Sequence, residues 1–283
     1  MRKAIKETLV LFIKGGAIGV ANIIPGVSGG TIAVILGIYD RLIESIARFF
    51  NEPDRRGEYV FFLARIFIAA AVAIVLLANL MDYLLASRFQ ETMFMFMGLI
   101  IGGIPAVVRS HGDMRIRTLR ILAFVLGMII VLGLSLIGKN YGETGASVVP
   151  DASVLDRGTY LMILIAGFLA GGAMIVPGVS GSFILVLLGQ YALIISAIKD
   201  LAIRPLAVMA LGAAAGILVF SKVIEACLEK IPSITYYFIL GLIFASLYKI
   251  FPGLPGGGEK GLFCFGTFIA GTALSYLLSK ISS

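Results

Sequence analysis

Apolar residues gather along the chain into long runs separated by brief polar or Gly-Pro punctuation, with no strand-like alternation. Six runs, 60–86, 91–108, 119–138, 205–228, 233–251 and 262–280, have roughly the ~20 residues that carry a helix across a bilayer. Four others come in two pairs, 8–24 with 29–47 and 160–176 with 181–198, and read as shorter stretches. Each pair is interrupted by Pro-Gly-Val-Ser-Gly, at 25–29 and at 177–181. Pro25 disfavours helix at Ile24, the glycines permit a turn, and Ser28 or Gly29 stands at the N-cap of a new helix. The pattern predicts two helices meeting at a tip within the membrane, a re-entrant hairpin; a hairpin of two full spans is the alternative.

The interruption is one part of a duplication. Ile24-Pro25-Gly26-Val27-Ser28-Gly29-Gly30-Thr31 returns 152 positions later as Val176-Pro177-Gly178-Val179-Ser180-Gly181-Ser182-Phe183, and twelve of the 23 positions from 24 to 46 are identical in the two copies. Gly15 and Gly19 align with Gly167 and Gly171, and Gly37 and Tyr39 with Gly189 and Tyr191. Beyond a polar insertion at 51–58 the offset becomes 143, so that Thr92 and Gly98-Leu99-Ile100 meet Thr235 and Gly241-Leu242-Ile243. Arg2, Lys3 and Lys6 before an apolar run imitate a secretory signal. The same segment recurs deep in the chain, which argues against cleavage.

Composition fits this picture and removes the soluble classes. Hydrophobic residues are 59% and charged residues 14% of the 283 positions, with a mean hydropathy of +1.04, so the charges cannot cover a soluble globule of this size. The net charge of +7 reports loop orientation and not a nucleic-acid partner. If each motif pair returns to the side it came from, each half crosses an odd number of times and the halves are inverted. With the N-terminus inside, 16 of the 23 lysines and arginines fall on the cytoplasmic side. The expected architecture is an all-α polytopic membrane protein built of two inverted-topology repeats. Each holds a broken or re-entrant helix hairpin and three transmembrane helices: repeat 1 over 1–139, an external connection over 140–159, and repeat 2 over 160–283. Both termini are expected in the cytoplasm. Cys227 and Cys264 lie in apolar runs without metal-type spacing and read as packing.

Broken helices in matching positions of two inverted halves point to a transporter's binding site. Gly29, Gly30 and Thr31, with Gly181 and Ser182, offer backbone N–H donors, and Ser28, Thr31, Ser180 and Ser182 add hydroxyls. Such donors suit an anion, and phosphate best. The scattered glycines Gly98, Gly102, Gly103, Gly212 and Gly216 read instead as packing residues.

The run from Gly15 through Ala21-Asn22-Ile23-Ile24-Pro25-Gly26-Val27-Ser28-Gly29-Gly30-Thr31 to Gly37-Ile38-Tyr39-Asp40-Arg41-Leu42-Ile43, with its second copy, resembles the signature of a bacterial and archaeal membrane family. That family was long catalogued as a domain of unknown function and is associated with translocation of polyprenyl (undecaprenyl) phosphate. The resemblance covers essentially the whole chain. It implies a prokaryotic cytoplasmic (inner) membrane protein that recycles the lipid carrier phosphate of cell-wall polymer export to the inner leaflet, with no cofactor. The phosphate-binding set it implies is Asn22, Pro25, Gly26, Ser28, Gly29, Gly30 and Thr31 with Pro177, Gly178, Ser180, Gly181 and Ser182. The second copy departs by carrying Ser182-Phe183 in place of Gly30-Thr31.

Asp40, Arg41, Glu44 and Arg48 follow the first motif at helical spacing and read as an ion-pair cluster. The sharper alternative makes Arg41 a phosphate ligand. Arg65, Asp82 and Glu225 lie in or near the ends of spans, where ionisable groups are costly. Arg65 can snorkel, and Asp82 and Glu225 are candidates to carry protons if protons are the coupling ion. An intramembrane serine hydrolase is the enzyme alternative, from Gly26-Val27-Ser28-Gly29. It lacks a base, since the single histidine, His111, sits in a basic loop. No metal-ligand cluster or carboxylate pair appears in the spans. A transporter or channel for a small soluble anion is the remaining alternative.

Overall fold

The computed structural model describes residues 2–24, 26–110, 113–142 and 156–280, and among these the regular structure is helical throughout. The first half holds α1 (Arg2–Ile23), α2 (Gly29–Ile35), α3 (Tyr39–Ala47), α4 (Arg56–Ser87), α5 (Phe89–Ser110) and α6 (Thr118–Gly142). The second half holds α7 (Arg157–Ile175), α8 (Gly181–Leu187), α9 (Tyr191–Lys199), α10 (Ile203–Lys230), α11 (Pro232–Ile250) and α12 (Glu259–Lys280). Pro25, His111 and most of the connection 140–159 lie outside the described residues.

Seven of these helices, α4 to α7 and α10 to α12, are long and apolar enough to cross a membrane. The arms flanking each motif are unequal, which corrects the expectation that all four are short. With 22 and 19 residues, α1 and α7 reach about 33 and 28 Å, close to the thickness of the hydrocarbon. The return arms are the short ones. Gly37 and Gly189, both at φ +66, break them into α2–α3 and α8–α9, and α8 meets α9 at 112°. A left-handed residue ends a helix and glycine takes that conformation without strain. The sequence shows those two glycines aligned, but in an apolar run they do not declare themselves as breaks.

Small residues set the helix pairs. A Cβ on Gly15 would lie 2.7 Å from the Ile66 carbonyl oxygen and one on Gly19 2.4 Å from that of Ala70, so α1 and α4 touch backbone to backbone. Both partners advance by four residues, so the two helices run in the same direction. In the second half Gly167 and Gly171 meet the carbonyls of Met209 and Ala213 in the same way, joining α7 to α10. The remaining spans pair across the halves. Gly98 and Gly102 of α5 meet the carbonyls of Phe268 and Thr272 of α12, while Gly241 of α11 meets that of Phe124 of α6. Each of these glycines is a site no larger residue fits.

Contacts of the hairpins differ between the halves. α2 is sheathed, with Gly30 through Ile35 all buried, whereas α8 buries only Gly181 and Leu185. α3 packs along α10, and α9 has no comparable contact with α4.

Candidate functional site

Duplicated sequence gives duplicated backbone at the two breaks. Gly26 and Gly178 turn the chain at φ +88 and +80. Ser28 and Ser180 then take the N-cap positions of α2 and α8 at φ −109, ψ 134 and φ −108, ψ 131. Neither hydroxyl bonds its own helix end as a capping serine usually does. In the first copy Asn22 substitutes, its Oδ1 accepting the Gly29 N–H at 3.1 Å. In the second copy Met174 occupies the equivalent place, against Gly181, and offers no acceptor.

The two copies, 152 residues apart in sequence, touch. The Gly178 N–H donates to Thr31 Oγ1 at 2.8 Å in a buried contact. Beside it the Tyr39 hydroxyl donates to the Ile175 carbonyl at 3.1 Å. Gly30 faces that same carbonyl, at 3.2 Å from where its Cβ would be, so the first hairpin is seated on the end of α7. The family model for undecaprenyl phosphate translocase-like proteins matches residues 18–255, both copies included. The chain belongs to the undecaprenyl phosphate translocase-like family. A polyprenyl-phosphate transporter of Vibrio cholerae serotype O1 is 33% identical over 255 residues, covering 86% of this chain and 78% of its own. One of Staphylococcus aureus is 33% identical over 278 residues and 96% of each chain. No solved structure gives a significant match.

Within this family frame, the polar groups of the two breaks are unequally available. Ser28 and Thr31 are 5% and 1% exposed, whereas Ser180 is half-buried and Ser182 exposed, their hydroxyl oxygens 2.8 Å apart. Pro177 and Gly178 are buried under them, and Gly178 packs on the Leu242 carbonyl of α11. At the end of α11, Lys249 holds its ammonium 4.3 Å from the centre of the Phe183 ring. The Lys249 stem and Ile250 flank Gly26, at 4.0 and 3.1 Å from where its Cβ would be.

The charged residues singled out from the sequence lie elsewhere. Arg41 pairs with Glu7 at 3.3 Å and Glu58 at 3.6 Å and covers the Phe62 ring at 4.6 Å. Glu44 pairs with Arg55 at 2.8 Å. Arg48 binds Glu52 at 3.1 Å and reaches across to Glu225 and Glu229 of α10. Glu52 also accepts from the Tyr59 hydroxyl at 2.6 Å, and this bond, ahead of Arg48, holds its carboxyl below the usual carboxylate range. Arg41, Glu44 and Glu225 therefore share one ion-pair network that fastens α3 to α10. Arg65 and Asp82 on α4 take no part in it, Arg65 half-buried and Asp82 exposed.

Two lysines near the hairpins, Lys14 and Lys249, have surroundings that the sequence pattern does not reveal, and Asp40, expected in the ion-pair cluster, meets a tyrosine of α11 as well. Lys14 is 1% exposed, and its ammonium donates to the Leu36 carbonyl at 2.6 Å, capping the end of α2. Asp40 accepts from the Tyr236 hydroxyl of α11. Lys249 stands between the breaks. A lysine in the middle of an apolar run was the available signal for Lys14, since such residues are retained only with a partner or a use.

Proposed function

We propose that this protein carries undecaprenyl phosphate, or a closely related polyprenyl phosphate, across the cytoplasmic membrane, returning the lipid carrier of envelope-polymer export to the inner leaflet. The observation that carries this reading is the Thr31–Gly178 hydrogen bond, which joins the two motif copies into one polar junction inside an otherwise apolar protein. A phosphate head group cannot cross hydrocarbon unpaired. The junction supplies hydroxyls and backbone N–H groups at the breaks while the prenyl tail stays in lipid. The names of the two relatives support the substrate class.

Helix directions support an inverted arrangement. α4 is joined to α5 through Arg88 alone and α10 to α11 through Ile231 alone, connections short enough to suit antiparallel neighbours. α5 runs with α12, and if α11 returns into α12 across residues 251–258, the count through α11 and α10 puts α7 opposite to α1, in support of the inverted reading. Both termini then fall on one side in this reading, and the excess of basic loop residues supports the cytoplasm as that side. Two halves of opposite direction can exchange conformations of similar energy, which is the basis of alternating access. This structure is read as the state in which the first hairpin is closed and the second open. Glu225 is engaged by Arg48 in this state.

Purified protein in liposomes tests the reading. Flipping of polyprenyl phosphate well above the protein-free rate, without uptake of inorganic phosphate, is expected. Uptake of inorganic phosphate without flipping establishes the soluble-anion alternative. Gly181 is a poor site to probe, because any Cβ there strikes the Ala170 carbonyl at 2.8 Å. Ser180→Ala with Ser182→Ala removes two hydroxyls without crowding, and a slowed rate is expected from correctly folded protein.

A further inference from the structure

A phosphate monoester carries between one and two negative charges near neutral pH, and hydroxyl and N–H donors alone leave that charge uncompensated at a junction walled by apolar side chains. A cation is needed, and one that is not already neutralised. Arg41, Arg48, Arg55 and Arg120 each have a carboxylate partner. Lys14 donates to the Leu36 carbonyl behind α2. Lys249 differs from all of these. Among the described residues it forms no salt bridge, and its ammonium rests on the Phe183 ring. A ring contact orients an ammonium without cancelling its charge or using up its N–H donors.

Its position is set by both motif copies. The Lys249 stem and its neighbour Ile250 pack at Gly26 of the first copy, while Phe183 follows Gly181-Ser182 of the second. Phe183 is the residue aligned with Thr31. In one half that position carries the hydroxyl that ties Thr31 to Gly178; in the other it carries a ring that holds a lysine. The position aligned with Lys249 in the first half is Ala106, so the cation is present once and breaks the symmetry of the junction.

We propose that Lys249 is the head-group cation, its ammonium binding the phosphate monoester beside Ser180 and Ser182. The assignment rests on the transport reading given above, and it names a residue that reading does not contain. Because α11 ends on the side opposite the termini, Lys249 meets the phosphate on the outer side and captures it from the outer leaflet. Exposure of Ser182 and half-exposure of Lys249 in this state agree with that.

The test uses full-length protein in nanodiscs, with three probes: polyprenyl phosphate, the uncharged polyprenol and inorganic phosphate. Lys249→Met keeps the apolar stem, and Lys249→Arg keeps the charge. Loss of a charge-assisted bond predicts that Lys249→Met weakens polyprenyl phosphate binding about tenfold or more. Polyprenol binding and the thermal midpoint stay unchanged, and Lys249→Arg stays within about threefold of the parent protein. In liposomes the apparent KM for polyprenyl phosphate rises in the same proportion. If the parent protein flips polyprenyl phosphate and Lys249→Met binds it equally well, the assignment of Lys249 fails and the transport reading stands. Should the parent protein bind only inorganic phosphate, and lose it in Lys249→Met, the cation assignment holds and the lipid reading fails. An equal loss of polyprenol and polyprenyl phosphate in Lys249→Met overturns the assignment, because it shows a packing role.

Discussion

Residues 26–47 and 178–199 are copies of one sequence pattern and take similar backbone paths, with matching turns at Gly26 and Gly178 and matching breaks at Gly37 and Gly189. Their surroundings are nonetheless different. Tyr39 is 2% exposed and bonded to the Ile175 carbonyl, whereas the aligned Tyr191 is 43% exposed. The difference follows a handful of substitutions that turn polar fasteners into apolar or oppositely charged residues. Lys14, which caps α2, is aligned with Ala166; Asn22, which caps Gly29, with Met174; Thr31, which ties the copies together, with Phe183. Arg48, which binds Glu225 and Glu229, is aligned with Asp200, and Glu225 itself with Asp82. Duplicated residues therefore specify the shape of each hairpin, and the unduplicated polar ones decide which hairpin is shut.

Removing a fastener should open the first hairpin in proportion to how deeply it is buried. Lys14→Ala is expected to have the largest effect. It leaves the Leu36 carbonyl without its charged donor and a void in α1, and a loss of roughly 2–4 kcal/mol is expected. The measurement is thermal unfolding in detergent, read beside Ala166→Leu at the aligned site of the other half. A midpoint unchanged by Lys14→Ala would show that the lysine is not what closes the hairpin.

Thr31→Val comes next. The substitution preserves shape and leaves the buried Gly178 N–H unpaired, at a cost of about 1–3 kcal/mol. Because the bond joins the halves, the loss should appear as weaker coupling between them. A cysteine at Ala33, in a background without Cys227 and Cys264, is expected to label faster in the Thr31→Val protein.

The Arg48 fastener is half-exposed and screened by solvent, so it should contribute less. Arg48→Ala is expected to shift the balance by about 1 kcal/mol, raising labelling at Ala33 about fivefold, and added salt should reproduce part of this in the parent protein. The converse change sharpens the comparison. Asp200→Arg places a cation where Asp82 becomes its partner if α9 closes on α4 as α3 closes on α10. Labelling of a cysteine at Ser182 should then fall. If it does not, the two halves do not exchange equivalent contacts.

How much of the molecule is legible in its sequence depends on the kind of residue. The duplicated Pro-Gly-Val-Ser-Gly declares itself as a pair of breaks, because interrupting a helix costs hydrogen bonds in apolar surroundings and the same interruption recurs at matching positions. The packing role of Gly98, Gly102, Gly212 and Gly216 is also legible, and each faces a backbone carbonyl within 2.5 Å of its missing Cβ. Gly37 and Gly189 are visible as aligned residues yet not as breaks, since one glycine in an apolar run is compatible with a continuous helix. Lys14 and Lys249 are hidden for a different reason. In the sequence both count as charges that orient loops, and only the packing of α1 on α2 and of α11 between the breaks shows what each ammonium meets.

The smallest expected effect is a response to acid that separates the hairpins without any mutation. Glu52 joins Arg48 and Tyr59 at the base of the first hairpin, and its carboxyl titrates below its ordinary value of 4.5, chiefly through the Tyr59 hydroxyl bond. A carboxyl depressed in the folded state contributes stability above the unfolded value, and that contribution is lost as the pH falls through the folded value. The groups facing it are Arg48 and Arg55, themselves shared with Glu44, Glu58, Glu225 and Glu229. Protonating Glu52 removes the carboxylate that holds Arg48 and Tyr59 at the base of this hairpin, and so weakens the seat from which Arg48 reaches α10. At the same place in the second half the Ser196 hydroxyl donates to Asp200 at 3.0 Å within α9, a bond that ties that helix to nothing else. Lowering the pH from about 6 to about 4 should therefore begin to raise labelling of the first hairpin and leave the second unchanged. Tyr59→Phe should abolish most of that difference, because Glu52 then loses the hydroxyl bond that chiefly lowers its carboxyl. An equal rise in both hairpins would place the acid-sensitive contact elsewhere, outside the network that distinguishes them.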